Sequence, residues 1–508
     1  MRIPLNKKSR EPLYRQIHQF LRDEIRCKAL PADFRLPSSR TLSAGLGVSR
    51  ITVMNAYAEL ESEGLVHIQP GSGTYVAPPA AYHSLPAEDG LDVHDWPIWQ
   101  QELLSRTWLP ARREMERLLA STVHPDPISF AGDLVAENLF PADEFRKTIN
   151  AVLRRDGQQA FGYGNRAGFA PLRETIAHIL AGQGIPTSPD HVLITSGSQQ
   201  ALSLVAQVLV QAGGSVLVES PTYIGAIDLF RSLNVRLMGV PVDEEGMRIE
   251  AVEEALKRNK PRLIYTIPAF HNPTGVCMAA DRRRRLINLA SRYNVPILED
   301  DCFGDLRYDG RALPALKALD PNGCVIYVNT FSKMLMPGLR VGYLVASGPL
   351  YDRLLSCKYT CDLATSNLIQ RALEAYISVG RYQAHLRRAC GAYRKRRDAM
   401  VAALDAHMPE GVRWRVPKGG LCLWLRLPDG VSAIDLLPEA SEEGVVYAPG
   451  SFYFPAERPE SFMRLNFAPH TPERTEEGIR RLARALERYL SRRKAEEEPQ
   501  RLHMGVTV

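Results

Sequence analysis

The residues Asn329-Thr-Phe-Ser332-Lys333-Met-Leu-Met-Pro-Gly-Leu-Arg340 put a lysine in a turn directly after the apolar run VIYVN, with an arginine seven positions further on. A lysine that is to form a Schiff base needs a fixed loop position and anion-binding groups nearby; Thr330, Ser332 and Arg340 can supply the latter. A Ser-Lys pair alone is usually just solvated, but three other segments point the same way. In Ile194-Thr-Ser196-Gly197-Ser198-Gln199-Gln200 a predicted strand opens into an apolar helix. The free N–H groups of such a helix start, with a serine hydroxyl, suit a phosphate ester, although an ordinary capped helix looks the same in isolation. Glu299-Asp300-Asp301 places carboxylates at the C-terminal end of a predicted strand. Ligands bind there in α/β sheets, and a carboxylate can keep a pyridine nitrogen protonated. His271-Asn272-Pro-Thr-Gly275 follows another strand and presents an amide able to bond a phenolate oxygen.

These segments need a sheet to position them. From about residue 98 to 490, helical patterns alternate with short Val/Ile/Leu runs at 192–195, 216–219, 263–267, 296–299 and 325–328, the pattern of an α/β layered domain. Residues 78–97 are rich in Pro, Ala and acidic side chains and read as a linker. The charged, aperiodic stretch 491–508 reads as a disordered tail. A length of 508 residues suggests about three domains. With 45% apolar and 24% charged residues, the composition excludes a mostly disordered, collagen-like or disulfide-scaffold chain.

The net charge of +6 is unevenly placed: residues 1–77 hold 11 basic and 7 acidic residues, and the other 431 hold 52 and 50. The basic excess therefore marks an N-terminal module facing a polyanion. In it, Leu13, Ile17, Leu21 and Ile25 form one helical stripe, and Ser38 caps a short second helix that stops at Gly45-Leu-Gly47. Ser49 caps a third helix from Arg50 to Glu63, and residues 64–76 read as two strands with a Gly-rich tip. That is a helix-turn-helix with a wing, presenting Ser49, Arg50 and Thr52 where phosphates and base edges would be met. A small helical protein-interaction domain is the alternative.

The blocks PLYRQI, LPSSRTLSAGLGVSRITVMNAYAELESEGLV and PGSGTYV resemble the winged helix-turn-helix of GntR-family transcription regulators over nearly the whole of residues 1–77. The resemblance implies double-stranded DNA as a partner, with Arg40 and Arg50 on backbone and bases, Thr52 at the groove and Gly71 near the minor groove. The sequence departs from the family at Lys28–Asp33, where glycines are usual.

The remaining motifs, over about residues 98–490, resemble the fold type I pyridoxal-phosphate enzymes of the aspartate aminotransferase superfamily, which implies a mostly parallel central sheet with a smaller α+β lobe. The cofactor implied is pyridoxal 5′-phosphate. Lys333 would be its Schiff-base lysine, Asp300 the partner of its pyridine nitrogen, Asn272 the partner of its phenolic oxygen and Tyr223 its stacking ring. Ser198, Gln199, Ser332 and Arg340 would hold the phosphate. Tyr163 would reach the phosphate of a neighbouring subunit, which implies a homodimer. Arg464 would pair with a substrate α-carboxylate, for which its planar fork is suited. Where the family usually has a tyrosine shortly after the aspartate, this chain has Cys302 and Phe303, so a phenol donor to the cofactor oxygen is missing there.

The two halves together resemble the MocR/GabR subfamily of GntR regulators. The resemblance implies a regulator that senses an amino acid or other amine effector; an aminotransferase with an accessory DNA-binding module and a regulator with a purely scaffolding large domain are the alternatives. Transaminase activity, if present, would be weak or vestigial. The eight cysteines show no metal-binding spacing, so no metal is expected. No apolar run reaches the roughly 18 residues of a membrane span, and the N-terminus has no apolar signal core, so a soluble cytoplasmic protein is expected.

Overall fold

The computed structural model describes residues 3–6, 12–26, 30–31, 34–62, 65–69, 73–76, 111–120, 124–456 and 459–504. The chain divides into two compact units, Met1–Thr107 and Trp108–Val508. The second unit was expected from residue 98; the linker at 78–97 lies outside the described residues, as does most of the Lys28–Asp33 departure.

The N-terminal unit contains α1 (Leu13–Arg26), α2 (Ser39–Leu46) and α3 (Arg50–Ser62), followed by β1 (Val66–Gln69) paired antiparallel with β2 (Gly73–Val76). Ile17, Leu21, Leu42, Val53, Leu60, Val66 and Val76 form its core. The Tyr57 hydroxyl, held inside by its ring, donates to Pro37 O at 2.7 Å. Both expected caps are present. Ser38 Oγ accepts from Thr41 N at 3.1 Å and Ser49 Oγ from Thr52 N at 3.2 Å, each satisfying a donor that the first helical turn leaves open. Gly47, at φ +62°, ends α2 in the left-handed region that glycine adopts without steric cost.

In the larger unit, after β3 (Ile128–Ser129), the main-sheet strands are β4 (Val192–Thr195), β5 (Ser215–Ser220), β6 (Arg236–Asp243), β7 (Gly246–Met247), β8 (Leu263–Thr266), β9 (Ile297–Asp300), β10 (Val325–Thr330) and β11 (Gly342–Val345). Their order is β4-β11-β10-β9-β8-β5-β6-β7. The pairs β10–β9, β9–β8, β8–β5 and β5–β6 are parallel, while β11 runs against both its neighbours. Strands β4, β8, β9 and β10 are buried along their whole length, which is why they read as continuous apolar runs without alternation. A second sheet of β12 (Arg413–Trp414), β13 (Cys422–Arg426), β15 (Ala448–Pro449) and β16 (Phe462–Asn466) forms the smaller lobe; β14 (Val445–Val446) pairs with β3. The architecture is the expected winged helix-turn-helix plus a mostly parallel sheet with a smaller lobe.

The last helix, Pro472–Met504, runs through most of the stretch expected to be disordered from residue 491. Lys494-Ala-Glu-Glu-Glu lacks apolar periodicity but consists of strong helix formers, and Arg492 Nη2 meets Glu439 Oε1 at 2.7 Å, so the helix continues from the packed segment before it. Among the described residues no helix is long and apolar enough to cross a membrane.

The junction of β11 with the turn after β4 is packed backbone to backbone. A Cβ added at Gly342 would lie 2.7 Å from Gly197 C and 2.9 Å from Asn329 O, and neither can move aside as a side chain does. Gly342→Ala is expected to cost about 1–3 kcal/mol through overpacking. Calorimetry should then show the large unit melting a few degrees lower; an unchanged transition would mean that this junction yields freely.

Candidate active site

Strand ends deliver the reactive groups. Lys333 follows β10 and Asp300 ends β9, while Ser198 opens the helix Ser198–Leu209 after β4. Asn272 lies in the turn after β8, and Tyr223 precedes the helix Ile224–Ser232 after β5. All five line one cavity, with Asp133, Cys302 and Phe303 in the same wall. The sheet collects residues 135 positions apart because its parallel strands end on one edge.

Asp300 is 3% exposed and receives hydrogen bonds from Tyr265 Oη at 3.0 Å and Cys302 Sγ at 2.6 Å. Burial pushes its carboxyl above the ordinary aspartate range, although both donors act against the shift. Among the described residues no cation lies within ion-pair distance of it. The Cys302 thiol is itself raised by burial and then by the Asp300 charge, so it acts as a neutral donor. Neither Cys302 nor Phe303 offers a phenol to the cavity. Tyr308, the next tyrosine, donates instead to Gly420 O.

Lys333 is half-buried, and its Nζ donates to Asp133 O at 2.7 Å. Next to it Ser332 Oγ accepts from Thr330 Oγ1 at 3.0 Å and lies 3.4 Å from Arg340 Nη1. Arg340 Nη2 donates to Ser196 O at 2.9 Å, so the guanidinium bridges the β4 turn and the lysine turn. Its backbone is at φ +50°, a strained conformation for a side-chain-bearing residue. Gly197 is at φ +90°, and a Cβ on it would sit 2.5 Å from Arg340 Nη2; the missing side chain is what lets the guanidinium approach. The exposed Gln199 donates to Gly225 O at 3.1 Å and has the Tyr223 hydroxyl 3.5 Å from its Oε1. Ser198, Gln199, Ser332 and Arg340 are therefore neighbours around one helix start.

The Asn272 turn is braced from beneath. Glu219, at the end of β5, accepts from Thr266 Oγ1 at 2.7 Å on Oε1 and from Ile267 N at 2.9 Å on Oε2, and Oε2 also lies 3.2 Å from His271 Nε2. Asn272 Oδ1 accepts from Arg464 Nη1 at 3.1 Å, which orients the amide and leaves Nδ2 as its donor. Arg464, on β16, is 1% exposed and already engaged: its Nη1 also donates to the Asp133 carboxylate, and its Nη2 donates to Ala131 O at 2.5 Å. Burial would lower its pKa, but Asp133 raises it overall. Asp133 in turn stays below the ordinary range because Arg464 and then Lys333 outweigh its burial.

Tyr163 is 91% exposed and is not brought to the cavity within one chain. Neither Asp133, Tyr265 nor Glu219 was singled out from the sequence. Asp133 sits in an unremarkable Gly-Asp-Leu context, whereas Tyr265 and Glu219 are polar residues inside or ending apolar strands, a signal that a buried-polar search would have found. On the N-terminal unit, Arg40, Ser49 and Arg50 are exposed and Thr52 is half-buried. Ser49 is committed to capping α3, and Arg50 Nε donates to Ser39 Oγ at 3.2 Å. Gly71 lies outside the described residues.

Comparison with known proteins agrees with both halves. Residues 134–482 match the family Aminotransferase class I and II, and residues 13–76 match Bacterial regulatory proteins, gntR family. The uncharacterized HTH-type transcriptional regulator YdfD of Bacillus subtilis is 33% identical over 97% of this chain and 100% of its own length. The probable rhizopine catabolism regulatory protein MocR of Rhizobium meliloti is 32% identical over 95% of this chain and 96% of its own. Among solved structures, the α-aminoadipate aminotransferase LysN of Thermus thermophilus, complexed with N-(5′-phosphopyridoxyl)-L-leucine, is 37% identical with a TM-score of 0.70, covering 76% of this chain and 99% of that one. With a gntR-type helix-turn-helix at one end and this lysine pocket at the other, the chain belongs to the MocR-type regulators, in which a GntR-family domain is joined to an aminotransferase class I and II domain.

Proposed function

We propose that the protein is a cytoplasmic, homodimeric transcription regulator that binds a double-stranded DNA operator and senses an amino compound through its aminotransferase-like unit. The observation that carries this reading is the span of the similarity. HTH-type regulators match the chain almost from end to end, whereas the aminotransferase LysN matches about three quarters of it.

The cofactor is pyridoxal 5′-phosphate, which when bound supplies a carbonyl carbon that condenses with amines and an electron-withdrawing pyridine ring. The residues fit such a group: Asp300 is a buried carboxylate short of a cation, and Gly197 leaves the space that a phosphate-binding Arg340 needs. In our assignment Lys333 Nζ is the covalent attachment point, and the Asp300 carboxylate holds the proton on the pyridine nitrogen. Asn272 Nδ2 donates to the phenolic oxygen, and Tyr223 lies against the ring. Ser198, Gln199, Ser332 and Arg340 bind the phosphate, with Tyr163 supporting it from a second subunit; the exposure of Tyr163 in one chain favours that role. In the same assignment Arg40, Ser49, Arg50 and Thr52 face the operator and Gly71 approaches its minor groove. An effector shifts operator affinity only by its differential affinity for two arrangements of the dimer.

A working aminotransferase with an accessory DNA-binding module is the second reading, favoured by the presence of both Lys333 and Asp300 in one cavity. Amino-donor turnover and operator binding, measured side by side, separate the two. The regulator is expected to be yellow, to bind a specific site and to turn over far more slowly than the common range of about 1–1000 per second. Lys333→Ala should be colourless. Ordinary enzyme rates without a specific DNA site would sink the regulator reading, and a colourless wild type would remove the cofactor.

Stability against pH tests Asp300. Its raised folded pKa means that, without cofactor, it contributes stability that is full below about pH 4, the unfolded aspartate value, and is lost as pH rises through the folded value. A protonated pyridine nitrogen beside it favours the charged carboxylate and removes that loss. The difference in melting temperature between cofactor-loaded and cofactor-free protein should therefore widen as pH rises above about 4, the unfolded aspartate value. In Asp300→Asn this widening should disappear; a pH-independent difference in the wild type would count against the assignment.

A further inference from the structure

Arg464 is the guanidinium that the resemblance reserves for a ligand's α-carboxylate, yet a carboxylate of the chain itself already holds it. Asp133 Oδ1 accepts from Arg464 Nη1, which it shares with Asn272 Oδ1 at 3.1 Å, while Arg464 Nη2 is taken by Ala131 O at 2.5 Å. Both terminal nitrogens of the fork are thus occupied from inside the protein. The Asp133 side chain is only 22% exposed, and what it exposes faces the cavity of Lys333, Asn272 and Tyr223. Arg464 and Lys333 keep it below the ordinary carboxylate range despite its burial, so it is an anion at neutral pH.

This carboxylate is not on a loose loop. Strand β16 clamps its segment at every step: Asn466 N donates to Phe130 O at 2.8 Å, Arg464 Nη2 to Ala131 O at 2.5 Å, and Asn466 Nδ2 to Gly132 O at 2.7 Å and Leu134 O at 2.8 Å. The carbonyl of Asp133 is also fixed, by Lys333 Nζ at 2.7 Å. The backbone that presents Asp133 is therefore tied to the strand that presents Arg464. To bind a ligand carboxylate, the site would have to hold two like charges at one guanidinium in a buried place or leave Asp133 unpaired, and both are costly. An amine with no carboxylate on the carbon bearing its nitrogen avoids both.

We propose that Asp133 is a specificity-determining residue that occupies Arg464 as a built-in carboxylate, so that the ligand of this site is a primary amine lacking the α-carboxylate of an amino acid. The inference rests on the amine-sensing reading above and names its ligand class. In this arrangement Arg464 and Asp133 form a neutral pair in the cavity wall, and the amine end of the ligand is directed to the position of Lys333 Nζ.

The test uses the full-length, cofactor-loaded protein and matched pairs that differ only by the carboxylate: L-leucine and 3-methylbutylamine, L-tyrosine and tyramine, L-lysine and 1,5-diaminopentane. Dissociation constants are read from the change in the cofactor's absorption. The wild type should bind the amine of the best-bound pair at least about tenfold more tightly than its amino acid, a modest share of the cost of one uncompensated buried charge. Asp133→Ala should tighten amino-acid binding by about tenfold or more and move the amine by less than about threefold, since only the former gains a free guanidinium. Asp133→Asn, which keeps the size and a hydrogen-bond acceptor, should shift the same ratio in the same direction and stands in if the alanine variant does not fold. A wild type that binds amino acids as tightly as their amines, or a ratio unmoved in the substituted protein, overturns the role of Asp133 and leaves amine sensing intact. No spectral change with any of these compounds in wild type or variants overturns amine sensing and this inference together.

Discussion

A buried carboxylate with no cation at ion-pair distance among the described residues is the constraint around which the large unit is arranged. Asp300 ends β9, in the middle of the main sheet, with only a phenol and a thiol as side-chain donors, and burial raises its pKa. Such a group is costly in a finished fold and becomes favourable once a protonated nitrogen lies against it. Its place on a central strand, with β8 on one side and β10 on the other, brings several site residues from the two neighbouring strands. Tyr265 comes from β8, Lys333 follows β10, and Asn272 follows β8.

The second organising feature is the close approach of the β4 turn to the lysine turn. Gly197 and Gly342 bring backbone to backbone there, and Arg340 accepts a strained left-handed conformation so that its guanidinium can reach both Ser196 O and Ser332 Oγ. Strain at one residue and missing Cβ atoms at two others are tolerated because the sheet on either side is buried throughout. The donors around this helix start are thereby held in place by the fold itself, the arrangement an electrostatic site would need to work without reorganising.

How much of this the sequence discloses follows from how far apart the partners are. Lys333, Asp300, Asn272, Ser198 and Tyr223 each announce themselves locally, as a polar residue at the end of an apolar run, and all five line one cavity. The caps at Ser38 and Ser49 were legible for the same reason, since capping is decided within four residues. Asp133 was not legible: its partner Arg464 is 331 positions away, and nothing near it signals that it faces a guanidinium. Tyr163 is 91% exposed in the single chain, and nothing within that chain brings it to the cavity. The C-terminal stretch was misread in the other direction. Residues 491–508 lack apolar periodicity, yet the helix continues from its packed part through the helix formers Lys494 to Glu498 and runs past Pro499 to Met504.

The glycines around the site bear on how such chains drift. A Cβ at Gly225 would lie 2.5 Å from the Tyr223 ring, one at Gly168 2.2 Å from Ile194, and one at Gly342 2.7 Å from the backbone of Gly197. Gly168 and Gly342 are restricted by packing within the sheet, and Gly225 by a ring that lines the cavity. A descendant that had lost all turnover would therefore still display an outwardly complete enzyme pocket, because the frame is policed by folding and only a few side chains by chemistry. The record of what such a protein has come to recognise would be written in the side chains of the cavity wall, and in our proposal the carboxylate of Asp133 is one of them.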